Sequence, residues 1–168
     1  AVGQHGLMGK QNLYEHSQRI PLVMAGPGIP GGQTGEGPVW HGDTTATIRH
    51  LCGIAADPDA EGAPLIGPDG TVTAPRATHG AAYEHTQRSF REGRYKLIAY
   101  RPAPVGMTRP GSTPGVAMTQ LFDLETDPWE MRNLADDQGY REIRARLEAG
   151  LQAWQLAVGD PLPGFLDT

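Results

Sequence analysis

The chain opens with about twenty polar, glycine-rich residues before its first apolar run, Ile20-Pro21-Leu22-Val23-Met24-Ala25, which Gly26-Pro27-Gly28 closes. A run this short, bounded by turn residues, predicts a buried strand, with Pro21 at its start where a missing N–H is tolerated. Residues 26–38 hold six glycines and three prolines and read as a surface loop. Asp43 to Gly53 then reads as a helix. Asp43 or Thr44 can cap its first N–H groups, Gly53 can end it in the left-handed conformation, and Ile48, Leu51 and Cys52 share a face for packing on a sheet. Residues 55–76 are loop-like, with Asp69-Gly70 as a turn.

The pattern changes after residue 76. Ala77–Tyr83, Gln87–Arg91, Tyr95–Tyr100 and Gln120–Leu124 read as strands, with Glu92-Gly93-Arg94 joining the second to the third. A Pro/Gly-rich excursion over 102–115 precedes the fourth. After the Asp127-Pro128-Trp129-Glu130 turn, Tyr140, Ile143, Leu147, Leu151, Trp154 and Val158 follow the three-and-four spacing of one buried helical stripe. Glu142 and Arg146 fall four apart on its outer side, and Gly159 with Pro161 stops it. Trp129 and Trp154 suit packing between that turn and the helix. The division expected is residues 1–76, an incomplete end of an α/β sheet domain, and residues 77–168, a subdomain of antiparallel sheet and helix.

Composition narrows the function classes. The 168 residues include 23 Gly and 15 Pro, which favours a loop-rich fold, and the net charge is −5 without a basic cluster. That charge distribution argues against a nucleic-acid partner. No run of about 18 apolar residues is present, so no membrane-spanning helix is expected. The six histidines are scattered, and no His/Cys spacing resembles a zinc site. The start, Ala1-Val2-Gly3-Gln4-His5-Gly6, has no initiator Met, basic region or apolar leader, and reads as a chain cut within a domain.

Candidate chemistry lies in Gly6-Leu7-Met8-Gly9-Lys10-Gln11. A nucleotide-binding phosphate loop would need Gly at position 4 and Ser or Thr at position 11; both are Gln. What remains is a lysine in a glycine-flanked loop ahead of an apolar run, either a solvated surface residue or a compact point charge for an oxyanion.

The wider string, Gly3 to Leu22, resembles a segment of the type I sulfatase family: a short loop, Gly-Lys, an aromatic-Glu pair (Tyr14-Glu15) and Arg-x-Pro (Arg19-Ile20-Pro21). Three further blocks resemble that family in the same order: Asp43–Ile48 with Gly53-Ile54, the hairpin Arg88–Ile98, and Leu121–Leu134 with its Asp-Pro-Trp-Glu turn. The resemblance covers nearly the whole chain. It implies the C-terminal part of an alkaline-phosphatase-like α/β fold plus a small antiparallel sheet packed on a C-terminal helix. It also implies hydrolysis of sulfuric esters through a formylglycine nucleophile and a Ca2+ ion, both held by polypeptide preceding Ala1.

By that resemblance Lys10 matches the lysine that contacts the sulfate, and it is the expected catalytic residue. His5, His85 and Arg88 are the expected substrate-binding residues. His5 could equally be a loop histidine, and His79, Tyr83, His85 and Arg88 could equally form a solvated sheet face. No metal ligand is expected in the chain. Glu15 and Arg19, four apart, are expected to pair and steady the Lys10 loop. Cys52 precedes Gly53-Ile54-Ala55 instead of the nucleophile's x-Pro-x-Arg, and reads as a buried helix residue. The implied partners are a sulfated small molecule or carbohydrate and the missing N-terminal part of the same protein. A phosphonate or phosphate monoester hydrolase of the same superfamily and a non-catalytic binding module are the alternatives. Against the module stands the apolar run at 20–25, an orphan strand without a parent sheet.

Overall fold

The computed structural model describes residues 1–74, 76–102 and 117–160. Its elements run as a 3-10 turn (Gln4–Gly6), α1 (Glu15–Gln18), α2 (His41–Leu51), β1 (Thr78–Tyr83), β2 (Gln87–Glu92), β3 (Tyr95–Tyr100), β4 (Met118–Asp123), a second 3-10 turn (Gln138–Tyr140) and α3 (Arg141–Ala157). Most of the excursion at 102–115, and Pro161, lie outside the described residues. Two units form: residues 1–20 together with 79–168, and residues 21–78. The first twenty residues thus fold with the C-terminal sheet, where the sequence division had put them with residues 21–76.

In the first unit the four strands form one sheet in the order β1-β2-β3-β4. The ladders β2–β3 and β3–β4 are antiparallel, with Glu92 opposite Tyr95 and Tyr95 opposite Asp123. Gly93, at φ 57°, opens the two-residue loop between β2 and β3, a position that favours glycine. Because side chains alternate along a strand, the sheet has two distinct faces. Phe90, Leu97, Ala99 and Leu121 meet Leu147 and Leu151 of α3, with Leu134 and Ala135 closing the cluster. Two glycines make the close approach possible. A Cβ at Gly150 would lie 2.4 Å from the Phe90 ring, and one at Gly80 would lie 2.2 Å from the Trp154 indole.

The α3 stripe holds from Tyr140 to Trp154, but Val158 is exposed. The charges on its outer side pair differently from the expected Glu142–Arg146. Arg146 reaches Glu92 across to β2 at 2.6 Å, and the i,i+4 pair is Arg144–Glu148 at 2.8 Å. Trp129 is exposed, so only Trp154 packs as anticipated.

The other sheet face carries Ile98 and Phe122, and here the N-terminal segment docks through Leu13 and Tyr14. The Tyr14 hydroxyl donates to Gln120 Oε1 at 2.8 Å, and Gln87 Nε2 donates to the Gln11 carbonyl at 3.4 Å.

The second unit is built on α2. The helix starts two residues before the expected position, and Asp43 lies inside its first turn, its Oδ2 accepting the Trp40 N–H at 3.0 Å. Gly53 (φ 66°) and Ile54 close the other end by donating to the His50 and Arg49 carbonyls, the arrangement in which glycine ends a helix. The buried side of α2 is polar: Asp43 and Thr47 are fully buried, whereas Ile48 is 53% exposed and Cys52 is exposed. Asp43 Oδ1 also accepts the Ala63 N–H (2.9 Å), and Thr47 Oγ1 accepts the Leu65 N–H (2.9 Å). These bonds hold a loop against the helix, which is why Asp and Thr displace the apolar face as the inner one.

The run Ile20–Ala25 forms no strand. Its Val23 is 89% exposed, and the run takes part in no described ladder.

Candidate functional site

The loop from Ala1 to Gln11 carries Lys10. Three of its glycines, Gly3, Gly6 and Gly9, and His5 occupy the left-handed region. Its internal bonds are local: the Gly3 N–H donates to the Leu7 carbonyl, and the Gly9 N–H to the Ala1 carbonyl, both at 2.9 Å. Lys10 is exposed; its backbone N–H donates to Gln11 Oε1 at 3.0 Å. Among the described residues its ammonium has no hydrogen-bond or ion-pair partner.

His5 is half-buried and stacks face to face on Tyr14, with ring centroids 4.0 Å apart and planes within 1°. His16 lies 5.8 Å from the other ring of that pair, Tyr14, and 5.7 Å from His5. Burial, then the neighbouring His5 and Lys96, push the His16 imidazole below its ordinary pKa. Tyr14 is itself fixed by Phe122 and Gln120, so His5 has a rigid platform. Tyr100 belongs to the same face. Its phenol is pushed up, first by burial and then by its hydrogen bond with Tyr14.

Arg88 is 2% exposed and points to the α3 side of the sheet. Its Nε and Nη2 donate to the two Asp160 oxygens at 2.6 and 2.9 Å, and Nη1 donates to the Glu84 and Gln87 carbonyls at 2.8 Å. Every donor nitrogen is engaged within the protein. Arg88 thereby ties β2 to the end of α3, an arrangement that favours a scaffold role over the expected substrate contact. His85 is half-buried in the turn after β1, outside the strand that carries Tyr83. The structure brings His5 to Tyr14 and His16; it joins Lys10 to none of His5, His85 or Arg88 by a hydrogen bond or ion pair.

Glu15 does not pair with Arg19. It crosses to the sheet, where Lys96 Nζ lies 2.8 Å from Glu15 Oε1 and 2.9 Å from Glu130 Oε1, and Arg91 lies 3.4 Å from Glu15 Oε2. Glu130 Oε2 also accepts the Glu15 backbone N–H at 2.6 Å. Lys96 and Glu130 are both buried. Burial pushes the Glu130 carboxyl up, against the opposing pull of Lys96. The signal for this cluster was present in the strand periodicity: Lys96 shares a face with Ile98, and a lysine on a buried face requires a partner.

Among the described residues no group of three or more His, Cys, Asp or Glu side chains is arranged to hold a metal ion. Cys52 is exposed at the end of α2.

Residues 3–157 match the family model described as N-sulphoglucosamine sulphohydrolase, C-terminal. The chain belongs to this family of sulfatase C-terminal regions. It is 32% identical over 146 residues to a choline-sulfatase of Rhizobium meliloti, covering 81% of this chain and 25% of that protein. It is 28% identical over 163 residues to arylsulfatase K of Mus musculus, covering 89% and 27%. In fold it is similar to a protein solved in complex with its substrate D-glucosamine-2-N,6-O-disulfate, with a TM-score of 0.74 over 97% of this chain and 33% of that one, at 23% identity. The chain spans about a quarter of the length of the sulfatases it matches.

Proposed function

We propose that the whole protein hydrolyses a sulfate ester and that this chain contributes Lys10 to the pocket for the sulfuryl group. The family match over residues 3–157 supports the activity. The observation that carries the residue is the ammonium of Lys10: exposed, unneutralised among the described residues, and borne by a loop whose base is pinned to the sheet at Leu13 and Tyr14. A fixed cation against the sulfuryl group stabilises the negative charge that its oxygens and the bridging oxygen carry as the S–O bond breaks. An ammonium can also donate a proton to that oxygen. His5, held flat on Tyr14, presents a ring edge from the same loop and is assigned to the substrate's alcohol side. His85 remains a second substrate-side candidate, from the β1–β2 turn.

Sulfatases in general use a calcium ion and a formylglycine. The described residues fit neither, since they contain no metal-binding cluster and Cys52 lacks the surrounding motif. We assign both groups to polypeptide outside these residues.

The test is kcat for Lys10→Ala in the full-length protein with 4-nitrophenyl sulfate. Loss of one electrostatic stabiliser of the transition state predicts a fall of about 10²–10³-fold. An unchanged kcat removes Lys10 from the pocket.

A further inference from the structure

We infer that the buried cluster Glu15–Lys96–Glu130 is a positioning device for Lys10, holding the backbone that carries it in register with the sheet. This inference rests on the reading of Lys10 given above. The Lys10 loop constrains itself poorly: four of its residues adopt left-handed backbone, its backbone N–H groups bond within the loop, and the sheet reaches its backbone at the Gln11 carbonyl through Gln87. Order enters where the segment meets the sheet, at Leu13, Tyr14 and Glu15.

The apolar pair alone does not define a register, because hydrophobic contact is non-directional. The charges do. Lys96 Nζ, buried on the sheet, lies within 3 Å of two carboxylates. One belongs to Glu15, five residues after Lys10. The other belongs to Glu130, which also accepts the Glu15 N–H and so grips side chain and backbone of the same turn. With Arg91 beside Glu15, two carboxylates face two cations, and the cluster is neutral as a whole.

The backbone at Glu130 supports a specific purpose. It sits at φ 56°, a region costly for a residue with a Cβ, in a turn where glycine would be at ease. Such a conformation persists where surrounding contacts over-determine it, and here those contacts are Lys96 and the α1 backbone. A turn glycine would remove the strain and lose the grip. Lys96 and Glu130 therefore act on the reaction through Lys10, without touching substrate.

A double-mutant cycle in the full-length protein tests this, with 4-nitrophenyl sulfate as the probe. Lys96→Met is expected to lower kcat by about 10- to 100-fold, the scale of a roughly 1 Å misplacement of a catalytic group. In a Lys10→Ala background the same substitution should change kcat by no more than about twofold, because the group it positions is already gone. Should Lys96→Met fail to fold, the charge-balanced Lys96→Met/Glu130→Gln pair takes its place with the same expectation. Equal losses in both backgrounds, or no loss in the Lys10 background that retains the wild-type residue, overturn the inference while leaving Lys10 in the pocket. A silent Lys10→Ala removes the functional reading itself, and this inference with it.

Discussion

Replacing Arg88 by Met should loosen β2 and the end of α3 while leaving the affinity for substrate unchanged. The side chains of Arg88 and Asp160 are 2% and 3% exposed, and the guanidinium makes two bonds to the carboxylate and two to backbone carbonyls. Methionine fills much of the volume but takes both guanidinium bonds from Asp160, whose Oδ2 also accepts from Gln155 Nε2 at 2.9 Å. Removing one member of a buried ion pair costs about 3–5 kcal/mol, mainly because the other charge stays buried without compensation. At about 1.4 kcal/mol per factor of ten, that corresponds to roughly a hundred- to several-thousandfold loss of protection against hydrogen exchange in peptides from β2 and from the C-terminal turns of α3. Removing both charges, as Arg88→Met/Asp160→Leu, should restore most of the protection, since a well-packed apolar pair carries no desolvation penalty. Unchanged protection accompanied by a raised KM would refute the assignment and return Arg88 to the substrate.

Asp43 makes the stability of the second unit pH-dependent. Burial pushes its carboxyl up, but the Arg76 guanidinium and the Ala63 and Trp40 N–H groups outweigh burial and hold it below the usual carboxylate value. A folded pKa lowered in this way contributes stability above the unfolded value, about 3.9, and that contribution disappears as pH falls through the folded value. Asp43→Asn should therefore lower exchange protection in α2 at pH 7 and match wild type in strong acid; parallel pH curves would exclude this. Gly150→Ala should destabilise in urea unfolding, because its Cβ would sit 2.4 Å from the Phe90 ring. Overpacking costs about 1–3 kcal/mol, against a helix-propensity gain of at most about 1 kcal/mol; a stabilised variant would mean that Phe90 yields freely.

Periodicity carried the second half of the fold well. The four strands lie within two residues of their expected bounds, and the α3 stripe from Tyr140 to Trp154 packs as its spacing implies. Those elements rest on local alternation, which a sequence displays directly. The first half depended on partners that a sequence does not display. The run at 20–25 has strand composition, but a strand also needs a paired neighbour, and the run joins no ladder among the described residues. On α2, Asp43 and Thr47 turned inward because a loop supplied donors for them, and Cys52 turned outward. The same reason hid the pairing of the charges. Arg88 looked available until Asp160, 72 residues later, was seen to hold it. Glu15 looked suited to Arg19 until the fold presented Lys96, 81 residues away.

The claim on which the functional account depends is that Lys10 faces an anion pocket in the complete protein. Of the two lysines in residues 1–168 Lys96 is buried, and peptide-resolved mass spectrometry of amine acylation follows Lys10 separately from lysines elsewhere in the protein. In the full-length protein the account predicts slow labelling of Lys10 that inorganic sulfate slows further. Labelling as fast as that of a solvated lysine, and indifferent to sulfate, would contradict it.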